Sequence, residues 1–230
     1  MDETVARCRE LIGASRPVQH VVLNAGKCVL MQDEPDVRDI IARCEVVNAD
    51  GQSVVGAARF LGLRVPERVA GIDLMGRLIA LCESEGWPVY FLGAKDDVLG
   101  EFSAEAVRRH PRLVVAGRRN GYFRADEEAG IADAIRASGA RLVLVGISSP
   151  MKERFLARNL ERMGPVLAMG VGGSSDVWAG KTTRAPEWMQ RAGLEWFHRF
   201  AQEPRRMWRR YLVGNVRFAW IVFRARFSGA

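Results

Sequence analysis

Asp50, in Asn48-Ala49-Asp50-Gly51-Gln52, and Arg68, in Pro66-Glu67-Arg68-Val69-Ala70-Gly71, are the residues whose types and spacing best suit chemistry. A short apolar lead, Cys44 to Val47, precedes the first segment, which then turns on Gly51. That pattern puts a carboxylate at the C-terminal end of a strand, the edge of an open α/β sheet where ligands bind. Eighteen positions on, Arg68 supplies a fixed cation able to hold a phosphate or a sugar acid by a two-pronged contact. A carboxylate that takes a proton and an arginine that holds an anion are the minimum equipment for group transfer from a phosphorylated donor. The same residues fit a plainer pattern, in which Asp50 caps a helix over Val54 to Leu61 and Arg68 lies on a solvated surface. Both readings are open at this point.

The elements that must position these residues alternate between strand and helix. Val21 to Leu23 and Cys28 to Met31 are short apolar segments on either side of Asn24-Ala25-Gly26. Asp36 to Arg43 reads as a helix and Glu45 to Val47 as a strand. Gly71 to Glu85 carries apolar residues at 72, 74, 75, 78, 79 and 82 and ends at Gly86, a helix with its stop signal. Pro88 to Leu92 is a buried strand, and Gly93-Ala94-Lys95-Asp96 opens a helix to about Arg109. Leu113 to Gly117 is the next strand, leading to Asn120-Gly121-Tyr122-Phe123, with a helix over Asp126 to Ser138 and a strand over Arg141 to Gly146. Ser149-Pro150 starts a helix to about Met163 as a capping pair. Pro165 to Met169 is the last strand, ahead of Gly170-Val171-Gly172-Gly173-Ser174. Such βα units with short loops predict a Rossmann-like, mostly parallel sheet with helices on both faces.

Gly93, Gly146 and Gly170 stand at strand ends, where glycine lets a ligand approach the backbone and a following helix N-terminus bind phosphate. None belongs to a full GxGxxG, which weakens a nicotinamide or flavin reading. Ala179-Gly180-Lys181-Thr182 resembles the end of a P-loop, but Ser175 stands where its first glycine belongs. No strand leads directly into it, so it is rejected as an ATP site. Ser148 and Ser149 lack a nucleophile-elbow setting, and the three histidines (His20, His110, His198) are scattered. Both facts argue against hydrolase chemistry and against a His-based metal centre or triad.

Composition bounds the class. With 230 residues, 48% hydrophobic and 27% charged, the chain suits one large soluble α/β domain, or a domain with an appendage. Cys8, Cys28, Cys44 and Cys82 form no CxxC pair and read as reduced thiols. The net charge is +7, but Lys181 to Ala230 holds eleven Lys/Arg against three acids, so the first 180 residues sum to −1. A nearly neutral body with a basic tail points to acidic partners. Met1-Asp2-Glu3 does not open a signal peptide, and the late apolar run, Phe218 to Phe223, is far short of the ~20 residues that span a bilayer.

Taken together, these motifs resemble the WecG/TagA/CpsF family of bacterial glycosyltransferases. The resemblance rests on Asn24, Ala49-Asp50-Gly51, Pro66 to Gly71, Gly121-Tyr122-Phe123, Gly146 with Pro150 and Glu153, and Gly170 to Asp176. It continues through Ala179 to Met189 and Leu194-Glu195-Trp196 to Glu203-Pro204-Arg205-Arg206, covering roughly residues 18 to 212. It implies an inverting, metal-independent transfer of a hexosyl or N-acetylhexosaminyl group from a UDP-sugar, with no cofactor, to a saccharide on polyprenyl diphosphate. Exopolysaccharide, capsule and wall-polymer synthesis are all open. By the resemblance Asp50 is the catalytic base and Arg68 stabilises the donor diphosphate. Asn24, Gly51, Gly93, Tyr122, Gly146, Lys152, Glu153 and Gly172 are the candidate substrate-binding residues. The implied division is 1–193 for the α/β domain and 194–230 for a basic C-terminal appendage.

Two positions depart from the family pattern. Val22 stands where a threonine is usual, and Lys152 takes the slot of a pocket glutamine. Lys152 reads either as a contact for the diphosphate or a sugar carboxylate, or as the partner of Glu153 or another acid. A catalytically impaired relative that binds nucleotide sugars or acts as a scaffold is the alternative reading.

In the tail, Leu194 to Arg226 interleaves eight aromatics with eight arginines, and Pro204 starts a second helix. This suits a helix in the headgroup layer, and the resemblance implies the inner face of the cytoplasmic membrane, with Arg205, Arg206, Arg209 and Arg210 facing the surface or the lipid diphosphate. A helix packed on the domain or on a second subunit is the plainer reading, and a homo-oligomer is left open. Nucleic acid is not expected, since no motif for it is recognised.

Overall fold

Local sequence signals and the packing they permit agree along most of the chain. The computed structural model describes residues 1–14 and 16–227, with the side chains of Arg206, Met207, Arg209 and Arg210 outside that description. The elements run α1 (Asp2–Gly13), β1 (Val18–Leu23), α2 (Ala25–Asp33), α3 (Pro35–Ala42), β2 (Val46–Ala49), α4 (Gln52–Phe60) and α5 (Gly71–Glu85). They continue with β3 (Val89–Gly93), α6 (Asp96–Arg109), β4 (Val115–Arg119), α7 (Glu128–Ala137), β5 (Leu142–Gly146), α8 (Met151–Asn159), β6 (Leu167–Gly170) and α9 (Ser174–Trp178). Four helices follow: α10 (Glu187–Arg191), α11 (Glu195–Gln202), α12 (Pro204–Trp208) and, after a π-helical turn over Arg209–Val213, α13 (Gly214–Phe227).

The six strands pair in the order β2-β1-β6-β5-β3-β4, every pair parallel. Side chains alternate between faces, as strand geometry requires. Val89, Phe91, Leu142 and Leu144 join a core with Leu11, Leu78 and Phe102 of α1, α5 and α6. Tyr90, Leu92, Val143 and Val145 join the opposite core with Ile131, Ile135, Phe155 and Leu156 of α7 and α8. Burial on both faces is what a parallel sheet needs. The expected α/β architecture is therefore the observed one. Helix α5 matches its expected bounds: Leu74, Met75, Leu78, Ile79 and Cys82 are buried, and Gly86 at φ +67° closes it.

Three local expectations are corrected. Cys28 to Met31 is not a separate short apolar segment but the middle of α2, because the Asn24 side chain caps the helix by accepting from the Lys27 N–H at 3.0 Å. The fourth strand lies two residues later than its apolar run, with an irregular register between Val89 and Tyr90. Ser149 does not cap α8: Pro150 takes the N-cap position after a cis Ser149–Pro150 bond, and the Ser149 hydroxyl donates to Glu153 instead.

The connection β3→β4 steps one way across the sheet and β5→β6 the other, so the crevice at the C-terminal ends of β3 and β5 is a topological switch point. There Gly93 pairs in register with Gly146. A Cβ on Gly93, whose φ is +126°, would lie 2.5 Å from the Gly146 carbonyl carbon. Only glycine fits. The cysteines are all free, and burial pushes the thiols of Cys8, Cys44 and Cys82 up to about 12, out of reach of nucleophilic chemistry.

After α10 the chain is largely helical and returns to pack against α2. Phe218 of α13 is buried against Ala25 and Val29 of α2, and Arg217 forks onto Asp33 at 2.5 and 2.8 Å. No helix among the described residues is long and apolar enough to cross a membrane.

Candidate active site

Asp50 follows β2 directly, and its N–H donates to the Leu23 carbonyl of β1 at 2.8 Å, extending the β1–β2 ladder by one step. Val69 N–H donates to the Ala49 carbonyl at 2.9 Å, which brings the segment before α5 alongside the strand end. These two bonds fix where the Asp50 side chain goes. Its Oδ1 accepts from the Gly71 N–H, in the first turn of α5, at 3.0 Å. Asp50 therefore caps a helix, though not the one that follows it: Gly51 occupies the N-cap position of α4. The N-terminal dipole of α5 favours the ionised carboxylate. Loss of surrounding water outweighs it, and the Asp50 pKa is raised above the ordinary carboxylate value, with Gly71 and Arg68 opposing the shift. Val22, the departure in β1, lies beside this bond, with both its methyls 3.6 Å from where a Gly71 Cβ would stand.

Arg68 is held on the same loop. Its Nε donates to the Asp50 carbonyl at 2.5 Å, and its terminal amino group forms an ion pair with Glu195 of α11. Next to it, Arg184 forks onto Asp73 of α5 at 2.6 and 2.7 Å. Three carboxylates (Asp50, Asp73, Glu195) thus meet two guanidinium groups (Arg68, Arg184). Burial raises the Glu195 pKa, and the charges of Asp50 and Asp73 add to the shift. Glu195, Asp73 and Arg184 carry no role in the sequence reading. Their partners are more than a hundred positions away, 127 for Glu195 with Arg68 and 111 for Asp73 with Arg184.

A second cluster joins the first turns of α2 and α8. Lys27 Nζ donates to Glu153 Oε1 at 2.8 Å, Ser149 Oγ donates to the same oxygen at 3.0 Å, and Lys152 Nζ lies 3.3 Å from it. All three charged side chains are buried, and Glu153 Oε2 has no hydrogen-bond partner among the described residues. Burial alone would raise Glu153, but Lys152 and Lys27 overcome it and hold the carboxyl near about 2. Burial, with Lys27 adding to it, lowers Lys152 to about 8. Lys152 thus pairs with Glu153, as one of its two readings has it. The chain passes close here: a Cβ on Gly170 would lie 2.6 Å from Lys152 Cε. Lys27 was missed in sequence. A signal existed, because only four lysines stand among thirty arginines; the structure buries two of the four, Lys27 and Lys152.

The remaining candidates lie along the same sheet edge. Gly93 and Gly146 form the switch-point crevice, and Ala94 N–H donates to the Gly146 carbonyl at 3.1 Å. Tyr122 is exposed and, with Lys95, Asp96 and Asn120, lines an open depression of about 270 Å³. Gly51 begins α4, and Gly172, at φ +51°, turns the chain between β6 and α9. Lys181 of the P-loop-like segment pairs with Asp97 at 3.5 Å and follows α9 rather than a strand. Arg205 is exposed, whereas the side chains of Arg206, Arg209 and Arg210 lie outside the described residues.

Asp50 and Arg68 are thus brought together by direct contact, and the Lys27–Glu153 cluster is near enough for Lys27 to lower the Asp50 pKa. A carboxylate with one oxygen held and a guanidinium on its own carbonyl can take a proton and screen an anion at one place. A model of the glycosyl transferase WecG/TagA/CpsF family matches residues 1–230, the whole chain.

Proposed function

The chain belongs to the WecG/TagA/CpsF glycosyltransferase family, and from that premise we propose that it moves a sugar from a UDP-sugar to a saccharide carried on polyprenyl diphosphate, with inversion and without a metal. The observation that carries this reading is the Asp50 carboxylate, held through Oδ1 by the Gly71 N–H with Arg68 on its own backbone carbonyl. Oδ2 is left to accept a proton. As it takes that proton from the acceptor hydroxyl, the hydroxyl oxygen bonds to the anomeric carbon from the face opposite the leaving group. The bond from that carbon to the diphosphate breaks, and UDP leaves with the electron pair. Arg68 offsets the charge that develops on the diphosphate, the role a metal plays elsewhere.

The raised pKa of Asp50 suits a base, because basicity rises with pKa as long as the group is ionised. Donor choice falls to the positions that depart from the family. Val22 offers no hydroxyl beside Gly71, and Lys152 brings a second cation to the carboxylate that Lys27 already holds. Exposed aromatics on α13 (Trp220, Phe223, Phe227) support peripheral attachment to the inner membrane face, where a lipid-linked acceptor lies.

The test is UDP release with extracted polyprenyl-linked acceptor. Asp50→Asn should lower kcat by about 10²- to 10⁴-fold while UDP still protects the protein against heat, and chelators should leave the wild-type rate unchanged. Full activity of Asp50→Asn would overturn the assignment.

A further inference from the structure

The Arg68 guanidinium, the group assigned to the donor diphosphate, is already paired with a carboxylate from the C-terminal helices. That carboxylate is Glu195, the first residue of α11. The pair is shielded, with side-chain exposures of 14% for Arg68 and 31% for Glu195. Arg184 does not compensate for an added anion, because Asp73 holds it by a two-pronged contact. A diphosphate brought to Arg68 would therefore meet Asp50 and Glu195 as like charges around one cation.

The docking of α11 is polar. Besides Glu195, it relies on Gln202, which accepts from the Thr183 N–H at 2.9 Å and donates to the Thr183 carbonyl at 3.1 Å, and on Arg199. Arg199 lies 3.8 Å from Asp176 and packs its guanidinium against Gly173. None of the residues of α11 is buried. The Gln202–Thr183 contacts are exposed and exchange with water at little cost, which leaves the shielded Arg68–Glu195 pair as the main hold on α11. The contrast is α13, which buries Phe218 on α2 and is pinned by Arg217 to Asp33. The segment has one releasable end, at α11, and one anchored end.

We infer that Glu195 is a displaceable stand-in for the donor's diphosphate: it occupies Arg68 and draws α11 over the site, and a diphosphate that takes Arg68 releases α11. This rests on Arg68 being the diphosphate holder. The coupling is reciprocal, so a change that weakens the α11 contact strengthens diphosphate binding.

The experiment uses the full chain, with calorimetric titration of UDP and of inorganic pyrophosphate, and hydrogen exchange followed across residues 195–202 and 214–227. Glu195→Gln keeps the size of the side chain and removes its charge. It should bind both ligands about 5- to 10-fold more tightly than wild type, at the lower end of ordinary coupling strengths. Exchange across 195–202 should rise in Glu195→Gln without added ligand, and in wild type on addition of pyrophosphate, while 214–227 stays protected. Gln202→Ala, which loosens α11 without touching Arg68, should shift exchange and affinity in the same directions.

Equal or weaker UDP binding by Glu195→Gln, with exchange of 195–202 in wild type unmoved by ligand, overturns the displacement and leaves the donor reading standing. Pyrophosphate that binds and loosens α11, with no binding of UDP, supports displacement and overturns the nucleotide donor. Failure of both proteins to bind either ligand overturns both readings.

Discussion

Lys27 and Glu153 stand 126 positions apart and meet at 2.8 Å, joining the first turn of the helix after β1 to the first turn of the helix after β5. Lys152 shares the same carboxylate oxygen at 3.3 Å, so two buried cations depend on one anion. Removing the anion strands both cations, and Glu153→Gln should cost about 3–5 kcal/mol. Lys152→Met removes only the excess cation and should be neutral or stabilising. Its folded pKa is lowered from 10.5 to about 8, so between those values the unfolded chain binds more protons and stability rises with pH. The rise is at most about 3 kcal/mol, and Lys152→Met should abolish it. Denaturant unfolding from pH 7 to pH 10.5 measures both effects. A Lys152→Met protein as unstable as Glu153→Gln would contradict this account.

His20 on β1 predicts an acid limb of stability in a different window. Burial lowers its pKa to about 4; the charges of Lys27 and Lys152 add to the shift, and the Asn48 side chain, 2.8 Å from Nε2, opposes it. Because the unfolded value is 6.5, the unfolded chain binds more protons between pH 6.5 and pH 4, and stability falls as pH falls through that range. The loss is on the order of 3 kcal/mol and precedes the loss from Glu153, which sets in below 4.5. Imidazole chemical shifts followed by NMR should titrate near pH 4 in the folded protein. A midpoint near 6.5 would remove this source of acid sensitivity.

Sequence order showed most of the elements and little of how they meet. Helix α5 was readable from its apolar spacing and Gly86 because both signals are local. The position of Asp50 was readable as well, but its partner was not. Spacing suggested a cap on the next helix, whereas the ladder bond to Leu23 and the Val69–Ala49 bond turn the carboxylate toward Gly71, 21 residues on. Ser149-Pro150 matched a helix-start pattern, yet the hydroxyl serves Glu153, because a buried carboxylate between two lysines is the more demanding acceptor. Glu195 sat inside a recognised motif with no visible role, since its contact with Arg68 spans 127 positions.

Asp50 should show the trade between stability and activity expected of a buried base. Its raised pKa means that the folded protein binds more protons than the unfolded chain just above pH 3.8, so stability falls as pH rises through that interval. At neutral pH the ionised carboxylate is thus a net cost. Asp50→Asn, whose side-chain oxygen can still accept from Gly71, should melt at or above the wild-type temperature while losing transfer activity. The wild-type kcat/KM should rise with pH through the Asp50 pKa, and the residual rate of Asp50→Asn should be flat there. Calorimetric melting and a pH–rate profile on both proteins check the pair of outcomes. A clear drop in melting temperature would mean that the carboxylate is chiefly a structural cap.

The aromatic side chains of α13 set the last expectation, because their exposure leaves apolar area without a protein partner. Trp220, Phe223 and Phe227 are all more than half exposed, with Trp220 stacked on Phe223 and Phe223 meeting Phe227 at a tilt, and lie on the helix that Phe218 and Arg217 anchor to α2. Phe60 of α4 extends the patch, with the Arg226 guanidinium 6.0 Å from its ring centre. Aromatics beside arginines suit insertion at the headgroup boundary of anionic lipid, where each basic residue near the surface adds up to about 1 kcal/mol. Replacing Trp220, Phe223 and Phe227 together by alanine should lower binding to phosphatidylglycerol-containing vesicles by at least 10-fold in a flotation assay. The fold should be unaffected, since none of the three is buried. Wild-type binding should also weaken as salt rises from 50 to 500 mM, because the charge contribution is screened. Vesicle binding unchanged by the triple substitution would assign this face to contact with protein rather than lipid.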